Sequence, residues 1–176
     1  VNVDEARGDA RGEGPTADPA VTPAARRTRH GDMAEDMIER IIGYRLAMAS
    51  IPTRQLFNRH VGDVLKLRPV DFTLLALIRA NPDVTAKRLS QALAISAPRL
   101  TPILERLERR GLIRRERSEA DRRAQHIALT ETGEHTITRG LQLSLRAEAA
   151  HFAALSPAER AMLVELLAKV AVLAPQ

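Results

Sequence analysis

Eleven basic residues lie between Val84 and Thr130: Lys87, Arg88, Arg99, Arg106, Arg109, Arg110, Arg114, Arg115, Arg117, Arg122 and Arg123. Glu105, Glu108, Glu116, Glu119 and Asp121 are the acidic ones, so this segment carries +6 against +5 for the whole 176-residue chain. All the net positive charge therefore sits here. Ten of the eleven cations are arginine, whose planar fork matches phosphate oxygens and the O6/N7 edge of guanine. The chemistry this supports is the holding of a polyanion, most simply nucleic acid. Catalysis is poorly provided for. His30, His60, His126, His135 and His151 are scattered singly, with no nucleophile motif or phosphate-cradling loop beside them. The chain has no cysteine, which excludes disulfides, thiolate zinc sites and thiol-based oxidant sensing. No enzyme activity, cofactor or metal is expected.

The elements that must position these cations follow from apolar spacing. Leu100, Ile103, Leu104 and Leu107 recur at i, i+3, i+4 and i+7, one buried face of a helix. Ser96 is its expected N-cap, with a side-chain oxygen to accept a first-turn N–H. Gly111 ends it, as the residue that enters the left-handed conformation most cheaply. A shorter helix begins at Thr85 and turns Leu89 and Leu93 inward. Two helices joined by so tight a turn make a helix-turn-helix, whose second helix usually lies in the DNA major groove. Leu112 to Arg117 and Ala124 to Leu129 then read as two strands around the polar stretch SEADRR (118–123). A helix-turn-helix followed by a basic hairpin is a winged helix.

These residues resemble the MarR family of winged-helix bacterial transcription regulators. The resemblance is carried by LRPVDFTLLALI (67–78), LSQALAIS (89–96) and LERLERRGLIRRERSEADRRAQHIALTETG (104–133), and it extends over roughly residues 35–174. Its sharpest piece is D-x-R, an apolar strand and L-T-x-x-G, here Asp121-Arg122-Arg123 through Leu129-Thr130-Glu131-Thr132-Gly133. The resemblance implies that Asp121 holds the wing and that Arg123 enters the minor groove. It implies a triangular two-fold homodimer. It also implies a repressor that releases DNA when a small, often aromatic, anion binds between the dimer helices and the winged helix. Arg68 stands where the family often has Ser or Thr, and Ala94 where a turn glycine is usual.

The expected fold class is mainly α: a winged helix-turn-helix with a small β-hairpin wing, embedded in a helical dimerisation scaffold. Residues 1–32, rich in Ala, Gly, Pro, Asp and Arg, are expected to be a disordered tail. Arg26, Arg27 and Arg29 there are either a basic arm on DNA or merely solubilising. Residues 33–66 are expected to be the N-terminal dimerisation helix. Met37, Ile38, Ile41, Ile42, Leu46 and Ala49 share a stripe with Arg45, and Pro52 should kink or interrupt the helix before it resumes through Phe57, Val61 and Leu65. Residues 67–130 are the DNA-binding region. Its first helix has Pro69 at the first position and Asp71 in a first turn that suits the helix dipole. It packs Phe72, Leu75, Ala76 and Ile78 inward and closes at Asn81-Pro82-Asp83. Residues 131–176 supply two more dimerisation helices. One is capped by Thr130 and repeats Ile137, Leu141, Leu145, Ala149 and Phe152. The other starts at the capping box Ser156-Pro157-Ala158-Glu159 and carries Leu163, Leu166, Leu167, Val170 and Leu173.

Arg99 and Thr101 are the expected base readers, on the early flanks of the recognition helix. Ser96, Arg106, Lys87 and Arg88 should hold phosphate or sugar. Pro98 and Pro102 lie opposite the leucine stripe with Glu105 and Arg109; the prolines either touch thymine methyls or only kink the helix. Asp121, Arg122 and Arg123 form the wing tip. For an effector, Arg45 is the first candidate anion partner, as a charge on an apolar stripe, with Met48, Arg54 and His60 around and after the kink. The alternative is an intersubunit salt bridge for Arg45 and surface placement for Arg54 and His60. The expected partners are a pseudo-palindromic double-stranded DNA, a second copy of the chain and a small aromatic anion. No run approaches the ~18 apolar residues of a membrane span, and the N-terminus lacks the apolar core of a signal peptide, so a soluble, cytoplasmic protein is expected. An architectural DNA binder without a ligand is the alternative.

Overall fold

The computed structural model describes residues 38, 40–117 and 125–172. Ile41–Gln176 forms one compact unit, and of the segment before it only residues 38 and 40 are described, both in turns. The expected tail, and residues 33–37 of the expected first helix, lie outside the described residues.

Helix α1 spans Ile42–Phe57. It starts later than Met33, behind Ile41, which has no side-chain oxygen and makes no cap bond. It also runs through Pro52 without interruption. The proline deletes one backbone hydrogen bond, but the chain beyond it is anchored: the Phe57 ring meets Phe72 edge-to-face, centroids 5.4 Å apart. The departure from α geometry comes later, in a π-helical turn at Asn58–Gly62 that buries Val61 and Gly62. A short α2 (Asp63–Leu65) and α3 (Pro69–Ala80) follow, then β1 (Val84–Thr85), α4 (Ala86–Ala92), α5 (Ala97–Arg109), β2 (Ile113–Arg117), β3 (Gln125–Leu129), α6 (Glu131–His151) and α7 (Pro157–Ala171).

The wing strands pair antiparallel, Ile113 with Leu129 and Arg115 with Ile127. A third strand joins them. β1 pairs Val84 with Ile127 and Thr85 with His126, giving the order β1-β3-β2. Two residues show no alternation, so β1 looks in the sequence like the lead-in to α4. Thr85 also caps α4, its hydroxyl accepting from the Arg88 N–H at 3.3 Å. The core lies where α3, α4 and α5 meet this sheet. Leu74, Leu75, Leu89, Leu100, Leu107 and Ile113 are all but inaccessible to solvent, each contributing about 1.5–3 kcal/mol by leaving water.

Two tight corners set α4 against α5 and α5 against the wing. At the second, Gly111 has φ +65°, its N–H bonds the Glu108 carbonyl at 2.8 Å, and the Leu112 N–H bonds the Leu107 carbonyl at 3.0 Å. This is a Schellman ending with its expected apolar contact, since Leu107 and Leu112 are both buried. The first corner has the same pattern. The Ala94 N–H bonds the Gln91 carbonyl at 3.2 Å and the Ile95 N–H bonds the Ser90 carbonyl at 3.1 Å. Here Ala94 itself takes φ +49°, at a cost of about 1–2 kcal/mol for its Cβ.

α6 is capped by Thr130, whose hydroxyl accepts from the Gly133 N–H at 3.0 Å and donates to the Gly111 carbonyl. Its buried face is Gly133, Ile137, Gly140 and Ala147. Leu145, expected in that stripe, is 67% exposed. A repeat of four advances about 40° per step around a helix of 3.6 residues per turn, so Leu145 and Ala149 have rotated out of the core. α7 begins at the expected capping box: the Glu159 N–H reaches Ser156 Oγ, and the Ser156 N–H reaches Glu159 Oε2 at 2.7 Å. That backbone bond, and then the Ser156 side chain, hold the Glu159 carboxyl below its usual range. Neither α1 nor α7 has a buried residue. Ile42 is 70% and Val164 69% exposed, so the apolar stripes of both helices are uncovered in the single chain.

Gly133 is where α6 crosses the corner before the wing. A Cβ there would stand 2.0 Å from the Leu112 carbonyl oxygen, which also accepts from the Thr130 N–H at 3.1 Å. Backbone on both sides leaves no side chain to yield. Gly133→Ala should therefore lower stability by about 3 kcal/mol, the upper end of overpacking costs, read as a reduced urea midpoint with unchanged slope.

Candidate nucleic-acid interface

α5 presents two unlike faces. Leu100, Leu104 and Leu107 are buried, while Ser96, Pro98, Arg99, Thr101, Pro102, Glu105 and Arg109 are exposed around the opposite side. Lys87 and Arg88 are exposed on the neighbouring α4. The helix is continuous despite Pro102 in its interior. Ser96 occupies the N-cap position, but its side chain makes no cap bond. The reason is local. Pro98 has no N–H to offer, and the Arg99 N–H already bonds the Ser96 carbonyl at 2.9 Å. The Thr101 hydroxyl bends back to donate to the Ala97 carbonyl at 3.0 Å. Among the described residues, Lys87, Arg88, Arg99 and Arg109 make no ion pair.

Other cations of the segment are built into the scaffold. Arg106, expected to hold phosphate, is turned inward: its Nη2 lies 2.5 Å from Asp71 Oδ1, with Asp71 only 2% exposed. The other carboxylate oxygen of Asp71 accepts from the Arg68 N–H at 3.1 Å. The guanidinium of Arg68 has no acceptor with which to return the bond, so Asp71 alone closes the start of α3. Asp71 was read only as a first-turn charge. The signal for its burial is its register, since Asp71, Leu74, Leu75 and Ile78 fall at i, i+3, i+4 and i+7 on one buried face. Arg110 donates to the carbonyls of Leu65 and Lys66 at 3.1 and 2.7 Å, closing the end of α2. Arg115 pairs with Glu108 at 3.2 Å, and Arg114 pairs with Glu116 and donates to the Leu129 carbonyl. The wing-tip candidates Asp121, Arg122 and Arg123 lie outside the described residues.

Arg45 and Arg54 are exposed on α1, and Met48 is half-buried. Because the stripe around Arg45 is itself uncovered in one chain, its charge is not enclosed there. His60, in the π-helical turn, lines a cavity. That open cavity, about 520 Å³, is also lined by Leu56, Leu143, Arg146, Ala147 and His151. Arg146 and His151 were not singled out in the sequence, since nothing local links α6 to residue 60.

The Asp71–Arg106 pair gives a direct test of how α5 is held. Asp71→Asn should lower stability by about 2–3 kcal/mol, because it leaves a largely enclosed guanidinium facing a neutral amide. The double variant Asp71→Leu/Arg106→Met should recover most of that loss, as apolar replacement of a buried pair usually does. Urea unfolding of the three proteins measures both steps.

Residues 65–124 match the model of the MarR family. The fold is similar to that of the transcriptional repressor CouR bound to a 23-mer DNA duplex, with 30% identity over 80% of this chain and 99% of that one and a TM-score of 0.73. CouR has also been solved bound to p-coumaroyl-CoA. BpsR of Bordetella bronchiseptica, whose DNA binding is regulated by 6-hydroxynicotinic acid, is 26% identical over 78% of this chain and 97% of its own, with a TM-score of 0.69. A protein assigned as the transcriptional regulator of the hcr operon in Thauera aromatica is 28% identical over 141 residues, 80% of this chain and 82% of its own. The matched residues 65–124 include the leucine-backed α5, its cationic outer face and the first wing strand, and the chain belongs to the MarR family of transcriptional regulators, which are not enzymes.

Proposed function

We propose that this chain is a homodimeric, sequence-specific DNA-binding repressor that a small aromatic anion releases from its operator. The observation that carries the reading is the two-faced α5: a leucine stripe fixes it to the core while Arg99, Thr101 and Arg109 stand exposed, with Lys87 and Arg88 beside them. Phosphate contacts from the cations would supply most of the affinity and base contacts the discrimination. Arg99 forking to guanine O6 and N7 would be worth about 1–3 kcal/mol against the wrong base. The wing arginines Arg122 and Arg123 would follow the minor groove, oriented by Asp121. Residues 67–130 are the DNA-binding region in this reading, and 33–66 with 131–176 the dimerisation scaffold. The uncovered stripes of α1 and α7 suit a second copy. Two recognition helices related by a two-fold axis call for half-sites about 10–10.5 bp apart.

Release by an aromatic anion is supported by the ligands named for CouR and BpsR, each an aromatic ring joined to an anionic group. In this chain His60, Arg146 and His151 surround an apolar-floored cavity beside α6. Arg45, Met48 and Arg54 would take part only once a second copy encloses them. A ligand between scaffold and winged helix acts by its differential affinity for the two spacings of the recognition helices. Under this reading the protein works in the cytoplasm, with the chromosome.

Fluorescence anisotropy at physiological salt tests the reading, using the duplex upstream of the chain's own gene against a scrambled duplex of equal length. The expected preference is ~10³-fold or more, and aromatic carboxylates should then reverse binding. Equal, steeply salt-dependent affinity for that duplex, the scrambled one and genomic fragments would instead make the protein an architectural DNA binder.

A further inference from the structure

Three groups on the outer face of α5 offer hydrogen-bond lone pairs and no free proton. The first is a backbone carbonyl. Pro102 sits inside the helix and has no N–H, so the Pro98 carbonyl loses the partner that an i+4 residue normally gives. The proline ring also pushes against that carbonyl and turns it away from the helix axis. The second is Thr101. Its hydroxyl proton is directed at the Ala97 carbonyl, 3.0 Å away, which leaves only lone pairs facing outward. The third is Glu105, exposed and without an ion pair to any described residue. At 100° per residue, positions 98, 101 and 105 share one side of the helix, with Pro102 among them.

We propose that α5 reads amino-bearing bases, cytosine above all, through this acceptor stripe of Pro98 carbonyl, Thr101 Oγ1 and Glu105 carboxylate. The inference rests on the reading of α5 as the major-groove helix. In that groove only cytosine N4 and adenine N6 donate, whereas guanine and thymine present acceptors at the corresponding edge. A carboxylate carried into a polyanion is repelled unless it receives a hydrogen bond, and an amino group of cytosine supplies one. A main-chain carbonyl enclosed at an interface without a donor is costly in the same way. Arg99, with donors only, would read a guanine next to this stripe, so one helix would discriminate between the two bases of a G·C pair. Pro102 is a positioning residue: it acts by keeping the Pro98 carbonyl available.

The test is selection from a random duplex library by the full-length protein and three variants. The wild type should select a two-fold-related consensus with cytosine or adenine at the positions facing α5. Glu105→Gln should weaken the cytosine preference about tenfold at one position per half-site and shift it toward adenine, which a glutamine amide can pair bidentately. Pro102→Ala restores an N–H to the Pro98 carbonyl. It should erase the preference at one neighbouring position while raising the thermal midpoint, a combination that damage to the fold would not give. Pro98→Ala keeps the carbonyl unpartnered and should keep that preference. A wild-type consensus left unchanged by Glu105→Gln and Pro102→Ala, or one with guanine or thymine facing the stripe, would overturn the inference alone. A wild type that selects no consensus would overturn the proposed function and this inference with it.

Discussion

The orientation of α5 depends on a carboxylate that is almost wholly withdrawn from solvent. Asp71 is buried at the start of α3, and its two oxygens are divided between the Arg68 N–H and the guanidinium of Arg106. One oxygen begins α3; the other grips α5 in its last turn. A hydrophobic stripe alone leaves a helix free to slide or roll by a fraction of a turn, because apolar contact is non-directional. A charged hydrogen bond at fixed geometry removes that freedom. Its net contribution to stability is modest once desolvation is counted, so its value lies in register. With Arg106 held inward, Arg99, Thr101 and Glu105 are left on the outer side of the helix.

The wing is fixed by a second arrangement, made of backbone groups and one hydroxyl. Gly111 turns the chain out of α5, Thr130 spans from the Gly111 carbonyl to the Gly133 N–H, and the Leu112 carbonyl receives the Thr130 N–H. Gly133 is required because α6 passes too close to Leu112 for any Cβ. The L-T-x-x-G run is thus a structural clasp between recognition helix, returning strand and α6. The family's resemblance is sharpest at this point for a packing reason, while the exposed Arg99, Thr101 and Glu105 lie on the outer side of α5.

What was legible in the sequence was local. The leucine stripe of α5, the Thr130 and Ser156 caps and the turn at Gly111 each depend on residues within a few positions of one another, and each appears where its pattern placed it. The failures came where a local rule met a competing one. Ser96 does not cap because Pro98 removes a donor. Pro52, expected to kink or interrupt α1, does not interrupt it. Leu145 leaves the core because a spacing of four drifts around the helix. β1 was too short for any alternation to register. Arg106 depended on a partner far along the chain, Asp71, and the cavity that His60 lines is completed by Arg146 and His151 of α6; no spacing rule connects them.

If the Asp71–Arg106 pair holds α5 while the exposed side of that helix meets DNA, a crystal structure of the protein on a duplex selected from a random library should show it. The expected result is α5 in the major groove, Arg106 still on Asp71, and Arg99, Thr101 and Glu105 within hydrogen-bonding distance of base edges. An Arg106 that has left Asp71 for a phosphate, or an α5 lying outside the groove, would contradict it.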